Sequence, residues 1–350
     1  MPTDSTPAET KGPLCVDLDG TLVATDTTVE SLLGVLKKPW KVPGALGALA
    51  TGRPQLKRYL VENAPVDAAS LPYRDAVLDE INEARAAGRR VLLVTASDQA
   101  TADAVAEYLG VFDEAIGSDG KSNLKAQRKA DYLKGRFGEG GFEYLGDSSA
   151  DLPVWKAANE ASMVVPSART QRAAEQLVPT SSVLVERPEK LRAVVKELRP
   201  HQWAKNILLF VPLYFSHQYT DLDLVFTAFM AFLSFSFCAS AIYVLNDLVD
   251  LPADRQHRSK RNRPLASGAL SLGDGFALFG IALAVSIVLA VLFVGPRFVL
   301  VLLGYVALTT AYSFSLKQMM IVDVLTLASL FTYRVVAGGV AVDVKLSPWL

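Results

Sequence analysis

Charge is spread unevenly along this chain, and that unevenness limits its possible folds more than any single motif does. Residues 206–350 hold 17 of the 71 charged residues, nine basic and eight acidic, and no glutamate; the other 54 lie in residues 1–205. The charge-poor part carries four long apolar runs: Val225–Leu245 (21 residues), Phe276–Val294 (19), Phe298–Phe314 (17) and Val324–Val342 (19). A bilayer core needs about 20 apolar helical residues, with a working range of roughly 17–25, so each run qualifies as a span. Ile207–Phe215 is shorter and completes a fifth only with its polar flanks. The chain therefore reads as a soluble part followed by an all-α, polytopic membrane helix bundle, with the lipid bilayer as its first partner.

A net charge of -1 excludes a generally basic nucleic-acid binder, and 51% hydrophobic residues exclude disorder over the whole length. The two cysteines, Cys15 and Cys238, sit apart in apolar settings, which fits a reducing compartment rather than a disulfide framework. Residues 1–12 are polar and read as a disordered leader with no apolar signal-peptide core. Arg255, Arg258, Lys260, Arg261 and Arg263 crowd the link between the first two long runs. By the positive-inside rule that link faces the cytoplasm. The expectation is a multi-pass protein of a bacterial-type plasma membrane with a cytoplasmic N-terminal domain.

The soluble part follows a strand–helix rhythm. Leu14–Val16, Arg90–Val94 and Phe142–Leu145 read as short buried strands, and Asp75–Ala87 and Gln99–Leu109 as helices between them. Residues 27–75 are helical in pattern but broken by prolines. Such alternation predicts a doubly wound, Rossmann-like α/β domain over residues 13–185, with ligands at the strand C-termini. Residues 186–206 form a charged linker or interfacial helix.

Polar residues mark those strand ends. Asp17-Leu18-Asp19-Gly20-Thr21 follows the first strand, Thr95 the second, and Gly146-Asp147-Ser148-Ser149-Ala150-Asp151 the third, while Lys125 and Lys129 fall near a helix start. Two carboxylates two residues apart can converge on one metal and one phosphoryl group, although a bare Asp-x-Asp is more often a turn. The four elements in this order resemble the haloacid dehalogenase-like phosphatase superfamily. The resemblance implies that Asp17 is the nucleophile and Asp19 the general acid and base. It also implies that Asp17, Asp19 through its carbonyl, Asp147 and Asp151 hold or support Mg²⁺, and that Thr95 binds a phosphoryl oxygen. A lysine neutralises the phosphoryl charge; Lys129 is the choice and Lys125 the reserve. Residues 27–75 would be a small helical cap.

Asn246-Asp247-Leu248-Val249-Asp250-Leu251-Pro252-Ala253-Asp254 closes the first long run. On an ideal helix Asp247, Asp250 and Asp254 share an arc of about 60°, with Pro252 a threat to its continuity. Carboxylates at a membrane boundary are costly and suggest a cationic ligand. The cations and Arg263-Pro264-Leu265-Ala266-Ser267-Gly268 follow at once. Acids beside bases suit a Mg²⁺-bound phosphorylated donor. This run resembles the UbiA superfamily of intramembrane prenyltransferases. Leu198-Arg199-Pro200-His201-Gln202-Trp203-Ala204-Lys205-Asn206 and Tyr312–Lys317 resemble its decaprenyl-phosphate phosphoribosyltransferase branch. The branch implies phosphoribosyl diphosphate and polyprenyl phosphate as substrates. Asp247, Asp250 and Asp254 would carry the donor diphosphate. Asn246, Lys260, Arg263, Lys317 and Asp323 would line that site, and Gln202 and Lys205 would meet the lipid phosphate. An interfacial anchor is an equal reading of Lys205, and Arg334 is expected to have a buried partner, with Asp323 a candidate.

These resemblances predict a bifunctional enzyme: a transferase that makes a polyprenyl-phosphoryl ribose 5-phosphate, joined to a phosphatase that removes the 5-phosphate. Transfer of a prenyl group to an aromatic acceptor, or a membrane anchor for a lone phosphatase, are the rival readings. The resembled membrane family uses more spans than the four or five visible here, so the transferase half, residues 207–350, is expected to be partial. Lipid length and oligomeric state are left open by the sequence.

Overall fold

A computed structural model describes residues 12–119, 123–178, 180–185, 189–314 and 320–345. It divides into two compact units. The first comprises Met1–Lys190 with Pro252–Asn262 and Ala266–Ala269; the second comprises Leu191–Leu251, Arg263–Leu265 and Leu270–Leu350.

The first unit is built on β1 (Leu14–Val16), α1 (Thr27–Leu36), α2 (Val42–Thr51), α3 (Arg53–Asn63), α4 (Asp75–Ala86), β2 (Val91–Asp98) and α5 (Gln99–Leu109). It continues with β3 (Glu114–Ser118), α6 (Gln127–Phe137), β4 (Glu143–Gly146), α7 (Leu152–Ala157), β5 (Glu160–Val164), α8 (Ala168–Leu177) and β6 (Ser181–Val185). The six strands run parallel in the order β3-β2-β1-β4-β5-β6. Side chains alternate across the sheet. Leu14, Val16, Val91, Leu93 and Leu145 pack on one face with Val77 and Ile81 of α4 and Val105 of α5. Cys15, Leu92, Val94 and Tyr144 pack on the other with Leu133 of α6 and Trp155 of α7. Both faces are covered, as a parallel sheet requires. The reversal of connection direction on either side of β1 makes its C-terminal end the topological switch point, where such sheets bind ligands.

Local signals set the helix ends. The Asp26 side chain accepts from the Val29 amide at the start of α1, and Asp98 caps α5, which ends at Gly110 in the left-handed region. Each such cap contributes about 1 kcal/mol. Helices α1–α3 have a small core of their own in Val35, Ala45 and Leu60, with Leu32, Leu56 and Tyr59 against it.

The second unit begins within α9 (Lys190–Leu198) and continues through a 3-10 segment, Pro200–Phe210, to α10 (Val211–Phe215). Then come α11 (Leu222–Val249), α12 (Leu251–Gln256, which passes into the first unit), α13 (Leu272–Leu289), α14 (Pro296–Phe314) and α15 (Met320–Ala341). Among the described residues, three helices are long and apolar enough to cross a membrane: Leu222–Val249, Leu272–Val294 and Val324–Ala341. The run expected at Phe298–Phe314 lies in α14, an apolar helix of 19 residues. The helices meet around Phe235, Cys238, Phe298, Leu302, Tyr305 and Ala337, while Ile281, Leu292 and Leu300 point outward. Outward apolar side chains suit lipid, and small polar residues join the helices: Ser234 Oγ donates to the Ser286 carbonyl at 2.8 Å. Gly338 lets α15 approach the 3-10 segment, since a Cβ there would meet the Leu209 carbonyl oxygen at 2.1 Å.

Candidate functional site

The C-terminal ends of β1, β2 and β4 gather the first set of polar groups. Asp17 follows β1, and its Oδ1 accepts from the Leu18 amide at 2.9 Å. Asp147 and Asp151 come from the turn after β4. One carboxylate oxygen each from Asp17, Asp147 and Asp151 lies within 4.8 Å of the others. Gly20 makes the arrangement possible: its φ is +78°, and a Cβ would come within 2.2 Å of Asp147 Oδ2. Only glycine satisfies both conditions at low cost.

Lys129 reaches this cluster from α6. It is 2% exposed, lies 2.9 Å from Asp17 Oδ1 and 3.9 Å from Asp151 Oδ1, and donates to the Tyr144 hydroxyl at 2.7 Å. Tyr144 passes the chain on, donating to Asp151 Oδ1 at 3.0 Å. Asp151 Oδ2 accepts from the Ser148 amide and hydroxyl, both at 3.1 Å, so the turn is fixed by its own capping box. Lys125 is exposed. Sequence reasoning ranked Lys129 over Lys125 without seeing Tyr144, which carries no motif signal: it is one aromatic among the strand residues.

Asp19 projects to the cap side. Its Oδ1 accepts from the Thr27 amide at 2.7 Å, at the start of α1, and its Oδ2 from the Ser97 hydroxyl. Thr95 is buried and its Oγ1 accepts from the Ser97 amide at 3.0 Å. Ser97 thus ties Thr95 to Asp19, although nothing in its sequence position announced it.

The electrostatics follow from crowding. Burial, then Asp151, Asp17 and Asp19, push Asp147 up to about 8. Burial also raises Asp17 and Asp19 above the ordinary carboxylate range. For Lys129, burial opposes the charge, but Asp17 and Asp151 outweigh it and hold the ammonium above its usual value. Three hard oxygen donors that repel one another suit a divalent cation such as Mg²⁺.

The acidic motif after the first long run folds differently from expectation. Helix α11 stops at Val249 with Asp250 as its C-cap, and α12 starts afresh at Leu251. The single-helix face expected for Asp247, Asp250 and Asp254 is therefore broken, consistent with Pro252 removing a donor from the helix interior. Asp247 and Asp250 belong to the second unit and Asp254 to the first. Asp247 is 4% exposed and sits between Arg263 Nη1, at 3.0 Å, and Arg199 Nη2. Arg199 also lies over the Tyr243 ring, 5.5 Å from its centroid. Glu197, 1% exposed, lies beside Asp247, and burial followed by that aspartate raises its carboxyl pKa well above the ordinary range. Neither of its oxygens completes a hydrogen bond of sound geometry. No motif pointed to Glu197.

Asn246 is half-buried, and its carbonyl accepts from the Asp250 amide at 2.8 Å. Gln202 is half-buried in the 3-10 segment and Lys205 exposed. Arg334 is buried, as expected, but its side-chain partner is Asn206, whose Oδ1 accepts at 2.9 Å, with Phe235, Tyr305 and Phe331 rings within 6 Å. In the first unit, Lys260 Nζ lies 3.6 Å from Asp254 Oδ1. Arg255 gives Glu30 two hydrogen bonds of 2.7 and 2.9 Å. Lys317 and the Asp323 side chain lie outside the described residues.

Comparison with known proteins assigns both halves. Residues 14–156 match the haloacid dehalogenase-like hydrolase family, and residues 207–350 match the UbiA prenyltransferase family. An uncharacterized protein of Sinorhizobium fredii is 42% identical over 342 residues, covering 97% of this chain and 66% of that protein. The decaprenyl-phosphate phosphoribosyltransferase of Mycobacterium tuberculosis (strain H37Rv) is 36% identical over 175 residues, 49% of this chain and 58% of its own length. A solved structure of a phospho-aspartyl intermediate analogue of phosphoserine phosphatase aligns with a TM-score of 0.37 at 19% identity, over 53% of this chain and 98% of that one. The chain thus spans between 58% and 66% of the length of these two curated relatives. It joins a haloacid dehalogenase-like hydrolase domain to a UbiA-family domain, two enzymatic families.

Proposed function

We propose that this fusion of a haloacid dehalogenase-like hydrolase domain with a UbiA-family domain serves one reaction sequence on a lipid. The membrane half transfers 5-phosphoribose from phosphoribosyl diphosphate to polyprenyl phosphate, and the phosphatase half removes the 5-phosphate. One observation carries the reading: about half of the chain is similar to a decaprenyl-phosphate phosphoribosyltransferase, and its UbiA-family residues 207–350 are fused to a haloacid dehalogenase-like hydrolase domain. The product of the first site would carry the phosphomonoester the second consumes, and tethering raises its local concentration.

In the phosphatase half, an Asp17 oxygen attacks phosphorus and the P–O bond to the sugar breaks, leaving an aspartyl-phosphate. Asp19 gives its proton to the departing oxygen. Its raised pKa suits that duty, and the Thr27 and Ser97 donors fix its direction. Asp19 then takes a proton from the attacking water, and inorganic phosphate leaves. Lys129 offsets charge on the phosphoryl oxygens, Thr95 donates to one of them, and Tyr144 positions Lys129. A Mg²⁺ held by Asp17, the Asp19 carbonyl and Asp147, with Asp151 in support, supplies further charge neutralisation when bound.

In the membrane half, Asp247 and Asp250 would hold the donor diphosphate through Mg²⁺. Asn246, Arg263, Lys317 and Asp323 are the further candidates for that donor, and Gln202 and Lys205 would meet the lipid phosphate. The pair of arginines on Asp247 supports a phosphate-handling site, since guanidinium forks bind phosphate oxygens in the same way. The cytoplasmic face of a plasma membrane is the proposed location for both substrates' headgroups.

The test supplies membranes containing the protein with labelled phosphoribosyl diphosphate and polyprenyl phosphate. A labelled lipid is expected, and Asp17→Asn should make its 5-phosphorylated form accumulate. Label moving instead from a prenyl diphosphate to an aromatic acid, with none entering the polyprenyl phosphate, would overturn the reading.

A further inference from the structure

The phosphatase site contains a cation that the chemistry above does not use. Lys57 lies on α3, in the helical cap, and is half-buried. Its ammonium donates to the Ala96 carbonyl at 2.6 Å and to Asn123 Oδ1 at 3.2 Å. Ala96 stands between Thr95 and Ser97, the two residues that line the Asp19 side of the site. The anchor is itself braced: Ser118 Oγ donates to the same Ala96 carbonyl at 2.8 Å and accepts from the Leu124 amide at 3.0 Å. A long flexible side chain is thereby fixed at the cap–core seam, at a cost in rotamer entropy.

The partners are unusual for a lysine in that position. Both acceptors are neutral oxygens, and among the described residues no carboxylate lies within ion-pair distance of the ammonium. Burial lowers its pKa, while Asp19, Asp26 and Asp17 act in the other direction. The Ala96 carbonyl that holds Lys57 adjoins Ser97, whose hydroxyl bonds Asp19, so Lys57 meets the site on the side of the residue proposed to protonate the leaving group. The transferred phosphoryl group already has Lys129 and Thr95. A half-buried, desolvated charge held by neutral groups is prepared for an anion that arrives with the ligand.

We infer that Lys57 is a specificity residue of the phosphatase site: it receives a second anionic group, carried by the leaving group, and so selects phosphomonoesters whose alcohol part is itself negatively charged. Naming that group as the phosphodiester at C1 of a ribose 5-phosphate rests on the function proposed above; the selection for charge does not. The cap then distinguishes a lipid-linked ribose phosphate from a free neutral sugar phosphate by one ion pair, without needing to contact the lipid tail.

The experiment uses the full chain in detergent with Mg²⁺ and two synthetic substrates. One is methyl ribofuranoside 5-phosphate. The other carries a methyl phosphodiester at C1 in place of the methoxy group, so the two differ by one charge far from the scissile bond. Wild-type protein should favour the diester in kcat/KM by about 10- to 100-fold, the value of one charge-assisted hydrogen bond, with the difference mainly in KM. Lys57→Met should bring the ratio near one, and Lys57→Arg should keep it. The ratio is internal to each variant, so partial loss of folded protein does not move it. Absence of preference in the wild type, or a preference that survives Lys57→Met, would overturn the inference. If neither ribose compound is hydrolysed, the ribose reading falls separately, and the same ratio is read between 3-phosphoglycerate and glycerol 3-phosphate. A charge preference lost in Lys57→Met would still uphold the role of Lys57, and equal rates would overturn it.

Discussion

Replacing Lys129 by methionine tests the phosphatase centre most directly. The substitution keeps the length and apolar stem of the side chain and deletes the ammonium. Three contacts disappear: the 2.9 Å pair with Asp17, the 3.9 Å approach to Asp151 and the 2.7 Å bond to Tyr144. The side chain is 3% exposed, so water cannot replace the lost charge. Removing one partner of a buried ion pair costs about 3–5 kcal/mol, and if the phosphoryl oxygens lean on Lys129 as Asp17 does, a similar loss falls on the transition state. At about 1.4 kcal/mol per factor of ten, kcat should fall by roughly two to four orders of magnitude. The assay is Mg²⁺-dependent phosphate release from p-nitrophenyl phosphate by the full chain in detergent, alongside a thermal melt that separates catalytic loss from unfolding. Lys125→Met is the control. That lysine is exposed, and its loss should change kcat by less than about twofold. A folded Lys129→Met retaining a tenth of wild-type kcat, or a collapse of activity in Lys125→Met instead, would refute the reasoning.

Cation binding should depend on pH in a fixed direction. Asp147, at about 8, is raised above its unfolded value, as are Asp17 and Asp19; a raised acid is least costly below the unfolded pKa, and stability is lost as pH climbs through the folded one. The metal-free melting temperature should therefore fall between pH 5 and 8, and the Mg²⁺-induced rise should be larger at pH 8; a pH-independent rise would contradict the assignment. Gly20→Ala forces a Cβ to within 2.2 Å of Asp147 Oδ2 at a φ of +78°. It should weaken Mg²⁺ binding measured calorimetrically at least tenfold, and unchanged affinity would show that Asp147 is not a ligand. Tyr144→Phe removes the hydroxyl between Lys129 and Asp151 and should cost about 0.5–1.5 kcal/mol in kcat, well short of the Lys129 variant; an equal loss would make Tyr144 more than a positioning residue. Asp247→Asn should abolish phosphoribosyl transfer to polyprenyl phosphate while p-nitrophenyl phosphate hydrolysis persists, and retained transfer would remove Asp247 from the donor site.

Much of the first unit was legible because each local signal agreed with the sheet it serves. The runs at Leu14–Val16, Arg90–Val94 and Phe142–Leu145 became β1, β2 and β4, and Gln99–Leu109 became α5, between an Asp cap and a left-handed glycine. The strands at Glu114–Ser118, Glu160–Val164 and Ser181–Val185 escaped notice. Each opens on polar or small residues, which shortens its apolar run; β3 and β6 lie at the sheet edges and are incompletely buried, whereas β5 is interior and mostly buried. In the membrane part, run length identified the spans, but an ideal-helix projection placed Asp247, Asp250 and Asp254 on one face. The projection assumes an unbroken hydrogen-bond ladder, and the chain abandons that ladder at Asp250.

The residues that escaped sequence reading share a physical character. Asp17, Asp19, Asp147 and Asp151 announce themselves because acids in strand-end turns are conspicuous against apolar strands. Tyr144, Ser97 and Lys57 act through neighbours distant in sequence: Tyr144 spans 15 residues to reach Lys129, Ser97 spans 78 to reach Asp19, and Lys57 spans 39 to reach Ala96. Each would pass for an ordinary strand or helix residue, and its meaning appears only when packing fixes its partner. Glu197 is the sharpest case. At the end of a charged, amphipathic helix it reads as a solvated surface acid, the usual fate of glutamate. The fold instead buries it against Asp247, with two arginines on the aspartate and none bonded to the glutamate. Burial without a bonded partner costs several kcal/mol, so the second unit gives up stability at the point where its acidic and basic side chains converge.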